Sequence, residues 1–375
     1  MVSKRALLQA ILNSYEIPGI VEEEAIIENT IVYRVIRQPE RGSTSLSKYA
    51  DEIARQLGAE RVVIAKLPEE NAYSIAAPYR YTSPVDIDEL LDSPEFTGSG
   101  SSLAFAIGKD AFGSNVIGDL MKMPHLLVGG CADFGKSVLL DSLIMSLLHK
   151  STPAAVSLIL ISPGSNSFSQ YYGVPHLAQP VITGTADAVR ALDSLSAMIL
   201  QRRSSFNVLS KFLHDVIRKN RNLRNLYNNG VVNTIEDYNA AGNVGDRARM
   251  PYIVVVVDEL AELMSAARDD VEKAVSKLGI AARAAGIHLV LATSHVSPGV
   301  ITDTLKTYCP SRVAFKAPDA DSSRVILDRS GAEDLLGGGD MLYQPAGVLF
   351  PTRVQGGYIS GEGVIRWLKE KIYCK

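Results

Sequence analysis

The sequence predicts an α/β protein in which a parallel sheet is covered by helices on both faces and is preceded by a small α+β domain. Two observations lead to this prediction. From residue 98 onward, long and nearly unbroken apolar segments alternate with helical ones, which is typical of buried parallel strands. Before residue 98, shorter segments with strand-like alternation accompany amphipathic helices. A chain of 375 residues is long enough for two such domains.

The first domain is assigned to residues 1–97. Two helices are predicted here, a short one at 5–16 and an amphipathic one at 43–59 that starts with a serine/threonine cap. Three strands are predicted at 29–38, 61–67 and 72–79. The segment FTGSGSS (96–102) is rich in glycine and serine, so it predicts a flexible joint between the domains.

The second domain is assigned to residues 98–375. Its strands are predicted in HLLVGG, VSLILIS, YIVVVVDE, IHLVLATS and SRVAFKA, and its helices at 136–149, 185–203 and 270–285. Residues 203–249 are polar and rich in asparagine and arginine, so they predict an irregular insertion.

Composition excludes several classes of protein. The net charge is −3, from 38 basic and 41 acidic side chains, so a nucleic-acid surface would have to be a local patch or a pore lining. Three widely spaced cysteines predict neither a disulfide framework nor a metal cluster and favour a reducing compartment. Because no apolar run approaches the ~20 residues of a membrane span, we expect a cytoplasmic chain that would need a partner to reach a membrane.

The segment GCADFGKS (130–137) matches G-x-x-x-x-G-K-[ST] between a predicted strand and a predicted helix. Loops of this pattern surround phosphates with backbone N–H groups at a helix N-terminus, so we expect ATP and Mg²⁺ as cofactors. Lys136 would reach the β and γ phosphates, and Ser137 would ligate the metal. The nucleotide-binding residues expected here are Gly130, Cys131, Ala132, Asp133, Phe134, Gly135, Lys136, Ser137 and Val138. The alternative is a glycine-rich turn that only caps a helix.

Asp258 and Glu259 end the apolar strand YIVVVVDE. An aspartate at this position can hold the magnesium ion through water, and the adjacent glutamate can polarise the attacking water. This pair favours a hydrolysing ATPase over a kinase. A strand that simply exits into solvent is the alternative explanation.

Further candidates lie downstream. Arg283 precedes the strand IHLVLATS and is either a solvated helix residue or an arginine finger for a neighbouring subunit. Thr293 and Ser294, at the end of that strand, could sense the γ-phosphate or only cap the strand. Lys306, Lys316 and Arg324 could contact a polymer, but the interleaved aspartates favour a solvated face by composition. A basic stripe of Arg218, Arg221 and Arg224 is either a second phosphate-contact candidate or a solvated helix face.

At these residues the chain resembles the motor region of the FtsK/SpoIIIE family of DNA translocases. The resemblance extends from about residue 5 to 365 and is carried by the approach to the phosphate loop and by YIVVVVDELAELM, ARAAGIHLVLAT, SSRVILDRSGAEDLLGGGDMLY and PTRVQGGYIS. It implies a RecA-like P-loop ATPase core after an α subdomain of about 95 residues. It also implies a hexameric ring that hydrolyses ATP between subunits and moves double-stranded DNA. Arg283 would act in trans, and Lys306 and Arg324 would contact DNA.

The chain also departs from the family pattern. The usual GTTGSGKS is GCADFGKS here, which places Asp133 near phosphate and the bulk of Phe134 beside the base or at a subunit face. The family's DPK is SPG (162–164), and its ATQRP is ATSHV, with His295 in place of a DNA-contacting arginine. The membrane-spanning and winged-helix regions of the family are not in this sequence, so we expect a motor region alone. Two alternatives stay open: a coupling or secretion ATPase that acts on protein, and a nucleotide-gated DNA clamp with weakened hydrolysis.

Overall fold

The structure, a computed structural model, divides into two compact units. It describes residues 4–15, 17, 19–27, 30–37, 46–57, 59, 62–66, 72–78, 84–110, 113–219, 230–241 and 248–374. Unit 1 comprises Met1–Pro84 and Lys109–Ser114, and unit 2 comprises Val85–Gly108 and Asn115–Lys375. The predicted boundary at residue 97 is therefore corrected to residue 84. Residues 85–97 belong to unit 2 because Val85 pairs with the strand at Gly357 and because Ile87, Leu90 and Phe96 are buried there.

Unit 1 is a small α+β fold. Its elements are α1 (Lys4–Ser14), β1 (Gly19–Ile27), β2 (Thr30–Arg37), α2 (Ala50–Leu57), β3 (Val63–Lys66) and β4 (Ala72–Pro78). The strands form an antiparallel sheet in the order β1-β2-β4-β3. Apolar residues of α1 and α2 pack on this sheet, with Leu8, Ile53 and Tyr33 in the core. Residues 43–45 of the predicted helix 43–59 lie outside the described residues, and β1 was not predicted.

Unit 2 contains all the elements that carry candidate site residues. In chain order they are β5 (Val85–Asp86), α3 (Ile87–Leu91), α4 (Pro94–Thr97), β6 (Ala104–Asp110), β7 (Asn115–Asp119), β8 (Leu126–Gly129), α5 (Lys136–Lys150), β9 (Val156–Ile161), α6 (Thr185–Lys219), α7 (Ile235–Ala240), β10 (Tyr252–Val257), α8 (Leu260–Ala284), β11 (Ile287–Thr293), α9 (Asp303–Tyr308), β12 (Ser311–Ala314), α10 (Ala320–Leu327), β13 (Asp340–Gln344), β14 (Thr352–Tyr358) and α11 (Gly361–Leu368).

One large sheet organises unit 2 in the order β7-β6-β14-β13-β12-β8-β11-β10-β9, with β5 added beside β14. The five strands β12, β8, β11, β10 and β9 are parallel to one another, whereas β13 and β14 are antiparallel. Every residue of β8, β10 and β11 is buried, as expected for strands that are covered on both faces. The predicted α/β fold with a parallel sheet is confirmed.

The predicted irregular insertion at 203–249 requires a correction. Helix α6 continues to Lys219, because buried residues at spacings of three and four (Phe206, Leu209, Leu213 and Ile217) extend its apolar stripe. The polar outer face of this helix had suggested a loop. Thr234 and Asp237 then form a capping box at the start of α7. Arg221 and Arg224 lie outside the described residues.

The parallel register brings four strand ends to one edge of the sheet. Thr293 of β11 is paired with Gly129 of β8, and Val257 of β10 is paired with Ile161 of β9. Ligands of such sheets bind beyond the carboxyl ends of the strands. This edge is therefore where the candidate site has to be sought. Among the described residues, no helix is both long enough and apolar enough to cross a membrane.

Candidate nucleotide site

The phosphate loop connects the end of β8 to the start of α5 and contains three residues with left-handed backbone. These are Gly130 (φ 142°), Asp133 (φ 64°) and Gly135 (φ 118°). A left-handed residue is usually glycine, and aspartate is among the few others that adopt this region readily. Asp133 therefore occupies a position that suits its backbone preference. The Cys131 N–H donates to the Lys316 carbonyl at 2.8 Å, which ties the loop to the segment after β12.

Phe134 packs on a run of three glycines, which we call the glycine segment (337–339). A Cβ atom added at Gly337 would lie 2.5 Å from the Phe134 ring. The Gly339 N–H also donates to the Phe134 carbonyl at 3.2 Å. The three glycines have φ values of 85°, 60° and 90°. Within this chain, the Phe134 ring thus occupies the space that a side chain at position 337 would need. This contact was not predicted from the sequence.

A buried ion pair fixes the end of the glycine segment. Asp340 and Arg353 are each 5% exposed, and the guanidinium donates Nε to Oδ1 at 2.8 Å and Nη2 to Oδ2 at 2.6 Å. Asp340 Oδ2 also accepts the Leu336 N–H at 2.8 Å. Bidentate geometry of this kind resists rotation of both side chains. The glycine segment is thereby held beside the phosphate loop from its C-terminal end.

Lys136 is a buried ammonium group at the start of α5. It is 5% exposed, and Nζ donates to the Cys131 carbonyl at 2.5 Å. Burial lowers its pKa, while the nearby carboxylates of Glu259 and Asp258 oppose that shift. A buried cation whose neighbours are a carbonyl and two carboxylates of the opposite loop fits an anionic ligand such as a polyphosphate. Ser137 is exposed and Val138 half-buried at the same helix terminus.

Glu259 is held across the sheet edge by β11. Its backbone is left-handed (φ 64°). Its Oε1 accepts the Thr293 hydroxyl at 2.9 Å, and its Oε2 accepts the Ser294 N–H at 3.1 Å. Burial raises its pKa, but the hydrogen bonds from Thr293 and Ser294 together with His295 lower it by more, so the net shift is downward. Glu259 is consequently an oriented, ionised carboxylate at neutral pH, as a general base requires.

Asp258 lies next to Glu259 in a different environment. Its backbone N–H donates to the Ile161 carbonyl at 2.9 Å. Burial is the main cause that raises its pKa, the charge of Glu259 adds to this, and Ser167 and Lys136 oppose it. The Asp258 carboxylate and the Ser137 hydroxyl are hard oxygen ligands of the type that Mg²⁺ binds.

Arg283 lies at the other end of the sheet. It is exposed, and its Nε donates to the Met121 carbonyl at 3.1 Å. It lines an open cavity of about 990 Å³ together with Lys122, Asp119 and Glu236. The structure therefore does not bring Arg283 together with the phosphate loop of its own chain.

The candidate DNA contacts fall into two places. Lys306 Nζ lies 2.7 Å from Asp328 Oδ1, Arg312 pairs with the same carboxylate, and exposed Arg324 pairs with Asp321 on the following helix. His295 lies instead near Glu259, with Nδ1 3.7 Å from Oε1. Two further candidates have other surroundings: Lys316 donates to the carbonyls of Glu333 and Leu335, and Arg218 is exposed on α6.

Sequence reasoning missed a polar cluster behind the site. The Asp141 Oδ1 accepts the Tyr171 hydroxyl at 2.7 Å and the Gln170 amide at 3.0 Å. Burial raises the pKa of Asp141 to about 6, against the effect of these two hydrogen bonds. The available signal was spacing, because Asp141 follows Ser137 by four residues and shares its helical face.

The fold and the site together define a P-loop ATPase: a phosphate loop between strand and helix, a buried lysine, and two carboxylates at a nearby strand end. Residues 86–298 match the FtsK/SpoIIIE family, and the chain belongs to this family. The resemblance inferred from the sequence is confirmed.

Relatives that match most of this chain include DNA translocases. The DNA translocase FtsK of Clostridium tetani is 39% identical over 371 residues, which cover 97% of this chain and 47% of the relative. The DNA translocase FtsK of Caldanaerobacter subterraneus is 37% identical, with 99% of this chain and 49% of the relative covered. The chain thus spans about half the length of these relatives.

Solved structures with lower identity share the fold. The pCW3 conjugation coupling protein TcpA, in a monomer form with ATPγS, has a TM-score of 0.64 at 19% identity, covering 98% of this chain and 99% of that one. The cytoplasmic domain of the Thermomonospora curvata type VII secretion ATPase EccC has a TM-score of 0.60 at 24% identity, covering 76% and 34%. These similarities support the architecture and carry no statement about substrate.

The contact between Phe134 and Gly337 predicts coupled stability effects. Gly337→Ala should lower the free energy of unfolding by more than Gly338→Ala, because both positions have positive φ but only the first faces the Phe134 ring. In the background of Phe134→Ala, the excess effect of Gly337→Ala should fall, with a coupling energy of about 1 kcal/mol. Urea unfolding of the four variants measures this. Equal effects of the two alanines would show that the ring does not occupy this space.

The raised pKa of Asp141 predicts a pH-dependent gain from Asp141→Asn. The folded-state pKa of about 6 exceeds that of an unfolded aspartate, so the wild-type protein loses stability as the pH rises between those two values. Asparagine keeps the oxygen that accepts both hydrogen bonds and has no charge. We expect a stabilisation of about 1–3 kcal/mol above pH 7 that disappears near pH 4.

Thermal unfolding across this pH range tests the prediction. Asp215→Asn on the exposed face of α6 is the matched control and should change stability by less than about 0.5 kcal/mol. A difference between Asp141→Asn and wild type that is the same at every pH would contradict the assignment.

Proposed function

We propose that this protein is an ATP-driven translocase of double-stranded DNA that works as a ring, with ATP hydrolysed between adjacent subunits. The observation that carries the proposal is the match to DNA translocases over 97–99% of the chain, which includes both units. The part of this chain that matches the relatives includes the nucleotide site described above. We infer that the shared part is a motor region.

The position of Arg283 supports hydrolysis at a subunit interface. Arg283 precedes β11, whereas Thr293 at the other end of β11 is paired with Gly129 beside the phosphate loop. The strand has seven residues, so the two ends are about 20 Å apart. A guanidinium cannot span that distance. A phosphate that Arg283 contacts must therefore belong to a second copy of the chain, arranged head to tail as in a ring.

The roles of the other residues follow from their surroundings. Lys136 supplies positive charge to the phosphates, and Glu259 accepts a proton from the attacking water. Ser137 and Asp258 would hold Mg²⁺, which neutralises charge on the phosphate oxygens. Thr293 and Ser294 keep the Glu259 carboxylate in place. Arg283 of the neighbour stabilises negative charge in the transition state. His295 is exposed beside Glu259, with Nδ1 3.7 Å from Oε1, so it is close enough to respond to the charge of the Glu259 carboxylate.

An arginine that acts in trans predicts complementation between two inactive variants. Lys136→Ala and Arg283→Ala should each reduce ATP turnover by at least about a thousandfold. When the two proteins are mixed before assembly, about a quarter of the interfaces combine an intact lysine with an intact arginine, so turnover should return. ATPase assays on the mixtures measure this.

The control is Arg268→Ala, which removes an exposed arginine of the same helix that pairs only weakly with Glu272 at 3.6 Å. It should hydrolyse ATP like the wild type. Full activity of Arg283→Ala alone would remove the arginine finger from the proposal, and failure of the mixture would mean that Lys136 and Arg283 serve the same site within one chain.

The group formed by Lys306, Arg312 and Asp328 supports a DNA-binding role for α9 and α10. Lys306 and Arg312 share the Asp328 carboxylate, and Lys306 Nζ also lies 3.5 Å from Oδ1 of the exposed Asp303, which offsets the second cation. Burial raises the pKa of Asp328, but hydrogen bonds from Lys306 and Arg312 lower it by more. DNA phosphates could replace Asp328 as the partner of Lys306, and six copies in a ring would repeat the contact. Arg324, on α10, would add an exposed cation.

Translocation predicts that linear duplex DNA stimulates ATP hydrolysis and that the stimulation declines with salt. DNA affinity should fall linearly with salt on logarithmic axes, and Lys306→Ala should reduce the slope by about 1 for each lysine engaged. Asp328→Asn keeps both cations and removes their competitor, so it should strengthen DNA binding. ATPase rates and DNA binding at a series of salt concentrations test these expectations.

Two results would redirect the proposal. Hydrolysis that is indifferent to DNA, with no retention of labelled duplex, would support a coupling or secretion ATPase that acts on protein. ATP binding without turnover, with DNA still retained, would support a nucleotide-gated clamp, for which Asp133, Ser162 and Ser294 are the departures of interest.

A further inference from the structure

A charged residue, Arg202, lies in the buried stripe of helix α6. It is 7% exposed, and it continues the apolar stripe because it follows Ile199 by three residues and precedes Phe206 by four. Burial lowers the pKa of the Arg202 guanidinium to about 10. A buried cation is costly unless hydrogen bonds satisfy it, so the partners of Arg202 must account for a charge in this stripe.

The guanidinium of Arg202 joins α6 to two turns that lead into the central strands. Nη1 donates to the Ala285 carbonyl at 2.5 Å, and Nη2 donates to the Pro251 carbonyl at 2.8 Å. Pro251 directly precedes β10, and Ala285 caps the C-terminal end of α8, two residues after Arg283. Carbonyl groups at a helix end have no partner within the helix, so a side-chain donor can satisfy them. Arg202 is thus bound to the short turn that carries Arg283.

This turn is separated from the rest of α8 by a kink. Gly279 has non-helical backbone angles (φ 40°, ψ −143°) four residues before Arg283. Because of this interruption, the direction of the preceding helix does not set the direction of the last turn. On the other side, the Gly286 N–H donates to the Arg283 carbonyl at 2.9 Å. Ala285 lies between these two residues, so its bond to Arg202 fixes the turn against α6.

We propose that Arg202 is a positioning residue for Arg283, because its bond to the Ala285 carbonyl fixes the turn from which Arg283 reaches the ATP of a neighbouring subunit. The inference rests on the proposed function, in which Arg283 acts in trans. A change at Arg202 should therefore damage the arginine that a chain supplies to its neighbour. It should spare the chain's own nucleotide site, since Lys136 and Glu259 lie at the opposite edge of the sheet.

Turnover and nucleotide affinity of the full chain separate these two effects. Arg202→Met keeps a long side chain and removes both donors. It should lower kcat about a hundredfold, because a displacement of ~1 Å at a catalytic group costs about that much. The dissociation constant of the fluorescent analogue mant-ATP should not change. Arg202→Lys keeps the charge without the planar fork, so it should cause a smaller loss, and it serves as the test if Arg202→Met does not fold. Arg203→Met, at the adjacent exposed position, is the matched control and should alter neither quantity.

Mixing before assembly shows which chain the damage affects. With Lys136→Ala, which supplies an intact Arg283, Arg202→Met should regain turnover at interfaces that use its own phosphate loop. With Arg283→Ala, turnover should stay at the level of the separate proteins, because neither chain supplies a positioned arginine. The opposite pattern would overturn the inference by placing the damage in the chain's own site. An unchanged kcat in Arg202→Met, or a loss of mant-ATP affinity, would also overturn it.

The mixture of Lys136→Ala with Arg283→Ala separates this inference from the proposed function. If that mixture regains turnover while Arg202→Met mixed with Lys136→Ala does not, only the positioning role of Arg202 fails. If that mixture stays inactive, Arg283 does not act in trans, and this part of the proposed function fails together with the inference.

Discussion

The buried ammonium group of Lys136 is the charge around which the nucleotide site is arranged. Burial disfavours the charged form, and the opposing influences are the Cys131 carbonyl and the carboxylates of Asp258 and Glu259. These carboxylates come from the end of β10, two strands away from β8 in the sheet. The parallel register of the sheet is therefore what allows the charges to meet. A bound polyphosphate would bring additional negative charge next to this buried cation.

Left-handed backbone conformations collect at this edge of the sheet. Asp133 and Glu259 both have φ of 64°. Aspartate adopts this region readily, whereas for glutamate it costs about 1–2 kcal/mol. Each is held by a specific neighbour: the phosphate loop is tied to the glycine segment through Phe134, and Glu259 is tied to β11 through Thr293. Strain that persists only because surrounding contacts enforce it is typical of functional sites. Here it places Glu259, the proposed general base, beside the phosphate loop.

The sequence predicted those parts of the site whose residues are consecutive in the chain. The phosphate loop, Lys136 and the pair of Asp258 and Glu259 each occupy a few consecutive residues, and their strand and helix context is visible in the apolar pattern. The contact of Phe134 with Gly337 and that of Asp141 with Tyr171 join residues that are far apart in the chain. Neither follows from a local pattern, because each depends on strand order. Helix α6 was predicted too short for a different reason: its polar face dominates the composition and obscured an apolar stripe whose helical spacing is present in the sequence.

Strand β11 connects the two halves of the proposed catalytic unit. Its carboxyl end holds Glu259 through Thr293, and Arg283 directly precedes its first residue. The strand is buried along its whole length between β8 and β10, so it moves as part of the sheet and not as a separate loop. In a ring, a change at the Glu259 contact of one subunit would therefore reach the Arg283 that serves the next through a rigid element of about 20 Å. Sequential hydrolysis around the proposed ring would need such a connection, and the order of β8, β11 and β10 in the sheet would provide it without a mobile linker.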